Sequence, residues 1–160
     1  MKYEPIGVIH TDLKKREESP IQPAGARGIN GYIEIYPEYE KGLEDLEGFS
    51  HIYLIYHFHL SDDYSLSVKP FMDSKKHGLF ATRAPKRPNP IGISVVRVVD
   101  VDKNIVHIKD ADIVDGTPLL DIKPYVPDMI VDDKKDIKIG WLENNIHKVK
   151  TKKSDSRFTE

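Results

Sequence analysis

Prolines and glycines cut this chain into pieces too short to build a helical core. Eleven prolines and ten glycines are spread over 160 residues. No segment longer than about twelve residues repeats its apolar side chains at helical spacing. What lies between the breakers alternates at period two instead. YIEIY (32–36) alternates, and a first strand is expected at 3–10. SHIYLIYHFHL (50–60) separates into two faces. Ile52, Leu54, Tyr56, Phe58 and Leu60 share one side, while His51, Tyr53, Ile55, His57 and His59 share the other. The β-branched run from Ile91 to Val101 reads as a strand, Asp102-Lys103-Asn104 as a turn, and IVHIK (105–109) as its hairpin partner. PEYEKGLEDLEGF has room for one short helix, and WLEN near the C-terminus for a final strand or short helix. The expected fold class is mainly β: a small β-barrel or closed sheet with long Pro/Gly-rich loops and little helix. The barrel is expected over residues 1–135, followed by a C-terminal strand or helix and a basic tail over 136–160.

The most constrained loop is HGLFATRAPKRPNPIGIS (77–94). Pro85, Pro88 and Pro90 fix φ in quick succession and remove three amide donors. They also push the residues before them away from helix. Between Ser74 and Val99 there is no Asp or Glu, but there are six cations: Lys75, Lys76, Arg83, Lys86, Arg87 and Arg97. Against a formal net charge of −2, the remaining residues carry −8. One cationic stretch on an acidic chain reads as a localised anion site, with phosphate or an RNA backbone as the partner class. A stiff surface connection with its cations on a solvated face is the alternative. Two more Pro/Gly-stiffened loops, at 20–25 and 111–124, would converge with this one at one end of a small barrel to form a pocket.

Several chemistries are excluded or unsupported. The chain has no cysteine, so disulfides, zinc–thiolate sites and a thiol nucleophile are out. No apolar run approaches the ~18 residues of a membrane span. The N-terminal MKYEPIGVIHTDLKK lacks an export signal's apolar core, so the expected compartment is the cytoplasm. There is no Walker A or dinucleotide glycine pattern. IGIS only partly echoes a serine-nucleophile elbow and leads into a strand, not from strand to helix. His57 and His59 have a spacing used in metal sites, but no further ligand pattern accompanies them and no metal is expected. A polar strand face lining a cleft or subunit interface is the plainer account.

The segments PIGVIHT, GFSHIYLIYHFH, GLFATRAPKRPNPIGIS and DIVDGTPLLDIKPYVP, in this order, resemble the TsaA/TrmO-like family over residues 3–130. That resemblance implies a small dimerising β-barrel that binds S-adenosyl-L-methionine near the subunit interface. It implies methylation of N6 of the threonylcarbamoyl-adenosine 3′ of the anticodon in tRNA. It further implies cofactor contacts at Pro23, Ala24 and Gly25, at His59 and Leu60, at Arg83, at Ile93, and at Lys109, Asp110, Ala111 and Asp112.

Two further roles follow from chemistry. An exocyclic amine is a weak nucleophile, and an oxygen accepting its N–H would orient and activate it. Asn89 or Asp115 would supply that oxygen, unless Asn89 only forms a Pro-Asn-Pro turn and Asp115 an Asp-Gly turn. Lys86, Arg87 and Arg97 are the candidates for RNA phosphate contact, because guanidinium forks fit phosphate. Some members of the family carry a longer C-terminal extension. About thirty residues follow PYVP here, and the lysine-rich run 148–153 is a candidate phosphate-contacting substitute.

Overall fold

Alternation along the strands closes a sheet on itself. The computed structural model describes residues 1–14, 26–127, 137–151, 153 and 155. Eight strands occur among them: β1 (Gly7–Thr11), β2 (Asn30–Ile35), β3 (His51–His57), β4 (Ser67–Val68), β5 (His77–Gly78), β6 (Ile91–Asp102), β7 (Ile105–Lys109) and β8 (Thr117–Pro124). Six of them form a closed barrel in the order β1-β2-β7-β6-β3-β8, with every pairing antiparallel. β4 and β5 make a separate two-stranded ribbon. The mainly-β barrel is therefore as expected, and closure leaves the barrel no unpaired edge.

The inward residues are those the alternation selects. On β3, Ile52, Leu54 and Tyr56 are buried, while His51, Tyr53, Ile55 and His57 are only partly covered. Ile33 and Ile35 from β2, Val106 and Ile108 from β7, and Leu119 from β8 complete the same core. The register shifts between Val98 and Asp100, where β6 has an extra residue against β7, and at Ile55 and Tyr56, where β8 has an extra residue against β3; both are bulge-like. Bulges add the local twist that a small closed sheet needs. The β6–β7 hairpin turns through Lys103 and Asn104, with Lys103 at φ 53°. Asn104 ties that turn to β2: its Nδ2 donates to the Ile35 carbonyl (2.9 Å), and its own carbonyl accepts from the Ile35 N–H (2.8 Å).

Several sequence expectations need correction. The first strand starts at Gly7, not at residue 3, because residues 1–4 are exposed and have no face to bury. The expected short helix between β2 and β3 is instead two 3₁₀ turns, Pro37–Leu43 and Leu46–Gly48, broken by Asp45 at φ 67°. β3 ends at His57; the His59 N–H bonds back to the His57 carbonyl (2.8 Å), which turns the chain before residue 60. Thr117–Pro124 is a strand, although its prolines read as turn signals. The C-terminal WLEN region is 3₁₀, at Gly140–Leu142 and Ile146–Lys150. No helix among the described residues is long and apolar enough to cross a membrane.

Gly92 explains the glycine of PIGIS. A Cβ there would run into the Tyr56 ring and lie 2.9 Å from Phe58 Cζ. The Tyr56 and Phe58 rings pack edge to face, with centroids 5.4 Å apart. Gly92→Ala must therefore displace a buried ring, and overpacking of this kind costs about 1–3 kcal/mol. Urea denaturation should show that loss; an unchanged midpoint and slope would contradict the contact.

Candidate active site

At one end of the barrel β3 leaves, β6 enters and the β7–β8 connection crosses. The side chains there surround a cavity of about 570 Å³. That size falls within the range of small-molecule and cofactor pockets. Its walls also draw on the loop 79–87 and on Trp141 and Leu142 from the C-terminal segment.

One hydrogen-bonded chain joins three parts of the cavity region. Ser94, on the inward face of β6, is 2% exposed. Its Oγ donates to Asp112 Oδ1 at 2.7 Å, and the Tyr56 hydroxyl lies 3.1 Å from the same Oγ. With the serine proton committed to the carboxylate, the tyrosine is the donor to Ser94. Burial pushes the Asp112 carboxyl up to about 6, against the opposing pull of the Ser94 hydrogen bond and the Arg83 charge. Burial likewise raises the Tyr56 phenol, with the Asp112 charge acting in the same direction. A carboxylate in such surroundings is stabilised by a cationic or hydrogen-bond-donating ligand. Asp112 is the one carboxylate among the described lining residues.

The cationic loop is held by its own charges. The Arg83 guanidinium donates to the Ile93 carbonyl and so staples the loop to β6. Arg87 Nη1 donates to the carbonyls of Thr82 (3.1 Å) and Ala84 (3.2 Å), and its guanidinium lies 5.8 Å from the Phe80 ring centre. Thr82 Oγ1 donates to the Leu79 carbonyl at 2.7 Å. Leu79 and Ala84 bury themselves with Val68 in a small second core. Lys86 pairs with Asp63 at 3.1 Å.

Of the residues singled out by sequence, the cavity gathers His59, Leu60, Arg83, Arg87, Ile93 and Asp112. Others lie elsewhere. Ala111 is fully buried in the barrel core beside Asp112. Lys109 sits on β7 opposite Asn30. Asp110, at φ 67°, accepts from the Gly28 N–H (2.6 Å) and from Arg97 (2.7 Å). Burial opposes its ionisation, but those two partners outweigh it and hold the carboxyl below its ordinary range. The Arg97 charge is thus met by Asp110. Asp115 accepts from the Thr11 N–H (3.0 Å) and from Lys14 (2.8 Å), tying the β7–β8 turn to β1. Asn89 is exposed between its two prolines and outside the cavity lining. Pro23, Ala24 and Gly25 lie outside the described residues.

Sequence reasoning passed over Ser94, Tyr56 and Trp141. Tyr56 reads as an ordinary inward strand position, and the Ser94 of IGIS only as a partial echo of a nucleophile elbow. Trp141 carried one signal: it is the chain's only tryptophan. No group of three or more His, Cys, Asp or Glu side chains among the described residues is arranged to hold a metal ion.

Residues 8–131 match the family model described as the tRNA-methyltransferase O N-terminal domain. A Pyrococcus abyssi protein described as a "Probable S-adenosyl-L-methionine-binding protein" is 55% identical over 156 residues, which is 98% of this chain and 84% of that protein. An Escherichia coli protein named tRNA (adenine(37)-N6)-methyltransferase is 36% identical over 136 residues, covering 79% of this chain and 58% of that protein. The crystal structure of TrmO from Pseudomonas aeruginosa matches with a TM-score of 0.73 at 37% identity, over 88% of this chain and 61% of that one. The chain thus spans less than two thirds of the length of the relatives that carry the enzyme's name.

Asp112 supplies a test of the cavity's electrostatics. Its carboxyl moves from an ordinary 3.8 to about 6 on folding. The folded chain therefore binds this proton more tightly, so the group favours folding at low pH and loses that contribution as pH rises through 6. Asp112→Asn keeps an acceptor for Ser94 and removes the buried charge. The variant should melt higher than the parent at pH 8, and the gain should shrink between pH 6 and 4. An equal difference at pH 8 and pH 4 would contradict the assignment.

Proposed function

The chain belongs to the tRNA-methyltransferase O family, and from that premise we propose that it binds S-adenosyl-L-methionine in the barrel-end cavity. We propose further that it transfers the methyl group to N6 of the threonylcarbamoyl-adenosine 3′ of the anticodon in tRNA. One observation carries the reading. Two separate segments, the 77–94 loop with its ATR and PIGIS motifs and the later DIVDGTP, bring Arg83, Ile93 and Asp112 to a single cavity.

The residues present fit such a cofactor. The apolar wall formed by Phe58 and Phe71, with Leu60 and Ile91 at its rim, suits an adenosine moiety. Asp112, the one carboxylate of the described lining, complements a cationic ligand. Arg83, held on the Ile93 carbonyl, is a preorganised cation for a carboxylate. The bound cofactor supplies an activated methyl group, so the protein's task is alignment more than activation. Neither Asn89 nor Asp115 lines the cavity, and Asp115 is committed to Thr11 and Lys14. Arg87 is the phosphate contact at the cavity wall, since Lys86 and Arg97 are paired with acids. The exposed apolar rim of Leu60, Phe80, Ile91 and Ile93 is the seat of a second copy, and light scattering should then give twice the chain mass.

Isothermal calorimetry with S-adenosyl-L-methionine, followed by nucleoside mass spectrometry of tRNA incubated with the protein, tests the reading. The expected result is one cofactor per chain and an N6-methylated threonylcarbamoyl-adenosine. Arg83→Ala should weaken cofactor binding about ten-fold or more, the size of a lost charge-assisted hydrogen bond. Cofactor binding with methylation of a different nucleoside would redirect the acceptor. Binding without any turnover would make the chain a cofactor-binding module, and no binding would defeat the proposal.

A further inference from the structure

The C-terminal segment lies beyond the 8–131 family match, yet it gives the cavity Trp141 and Leu142. It is anchored on the ATR motif itself, whose first residue is Ala81. Trp141 Nε1 donates to the Ala81 carbonyl at 2.8 Å. The indole stacks on the His77 ring, with centroids 4.4 Å apart and planes within 20°. His77 Nε2 in turn lies 2.9 Å from Asp73 Oδ2, which fixes the imidazole from its far side. Lys148 Nζ donates to the Met72 carbonyl at 3.2 Å, a second tether on the neighbouring β4–β5 connection.

This arrangement decides what the indole offers. Its one polar atom is already bonded. One of its faces is covered by His77, which does not line the cavity and so lies behind the ring. What remains towards the cavity is π surface, which suits stacking against a flat ring. The other aromatic side chains of the lining are engaged. Tyr56 and Phe58 pack against each other, Phe80 carries Arg87, and Phe71 packs on the small core of Val68, Leu79 and Ala84.

We propose that Trp141 is the stacking wall for an adenine ring in this cavity, held in place by His77 and Asp73. The inference rests on the functional reading above, in which both reactants carry an adenine: the methyl donor and the acceptor nucleoside.

Because Trp141 is the chain's only tryptophan, its fluorescence reports on the wall directly. Wild-type protein is titrated with S-adenosyl-L-methionine, then with tRNA, with methionine as the control lacking a base. Quenching by the cofactor and not by methionine supports the cofactor's adenine as the stacked ring. Quenching only on adding tRNA supports the acceptor's. Trp141→Ala should weaken binding of the quenching ligand about ten-fold or more, as base–aromatic stacking does. Trp141→Phe should recover most of that loss, and His77→Ala should give an intermediate one. Calorimetric binding with an unquenched tryptophan would overturn the inference while leaving the functional reading intact, as would unchanged affinities in Trp141→Ala. If the wild type binds neither ligand, the functional reading falls first and the inference with it.

Discussion

The contact between the Tyr56 ring and Gly92 is where barrel and cavity become one construction. β3 and β6 are paired so that Tyr56 lies opposite Gly92 and Leu54 opposite Ser94. A side chain at residue 92 would push the ring away. Without one, the phenol reaches diagonally to Ser94, and Ser94 reaches Asp112 on the β7–β8 connection. The cavity's acid is thus positioned by strand register, the most tightly specified feature of a closed sheet. A one-residue slip would turn Ser94 outward and leave Asp112 without its donor.

The same economy governs the cationic loop. Its composition alone suggests an anion site, but its cations also hold the protein itself together. Arg83 fastens the loop to β6, Arg87 caps carbonyls of the loop's own turn, and Lys86 meets Asp63. Arginine suits this role because one guanidinium can satisfy several carbonyls and still present donors to a ligand. Prolines restrict the unfolded chain, and these bonds restrict the folded one. The loop is rigid for both reasons.

The legible part of the molecule was what local chemistry determines. The inward set Ile52, Leu54 and Tyr56, the Lys103-Asn104 turn and the mainly-β class follow from period and turn residues. β8 did not read as a strand because Pro118 and Pro124 are breakers in isolation. In the barrel Pro118 lies opposite Val8 and Pro124 ends the strand beside Ile52, so the missing amides are tolerated. The fates of Arg97, Lys86 and Asp115 were illegible for another reason. Their partners Asp110, Asp63, Thr11 and Lys14 are chosen by tertiary proximity, which no spacing in the sequence encodes. Trp141 is another such case, reaching the cavity from about sixty residues beyond the loop it binds.

That long reach has a thermodynamic consequence. Trp141 is held by Ala81 and His77, and Arg83 follows two residues after Ala81 on the same loop. A ligand that settles the indole also settles the Ala81 carbonyl, and through it the segment that aims Arg83. Conversely, a ligand carboxylate drawn to Arg83 fixes the backbone on which the indole hangs. Any ordering that the ligand imposes on this backbone would be shared by the two contacts, and by linkage the assistance would be equal in both directions. If Trp141 is the wall proposed above, it and Arg83 would act as a pair, and the C-terminal segment would have a part in the site although it lies outside the barrel.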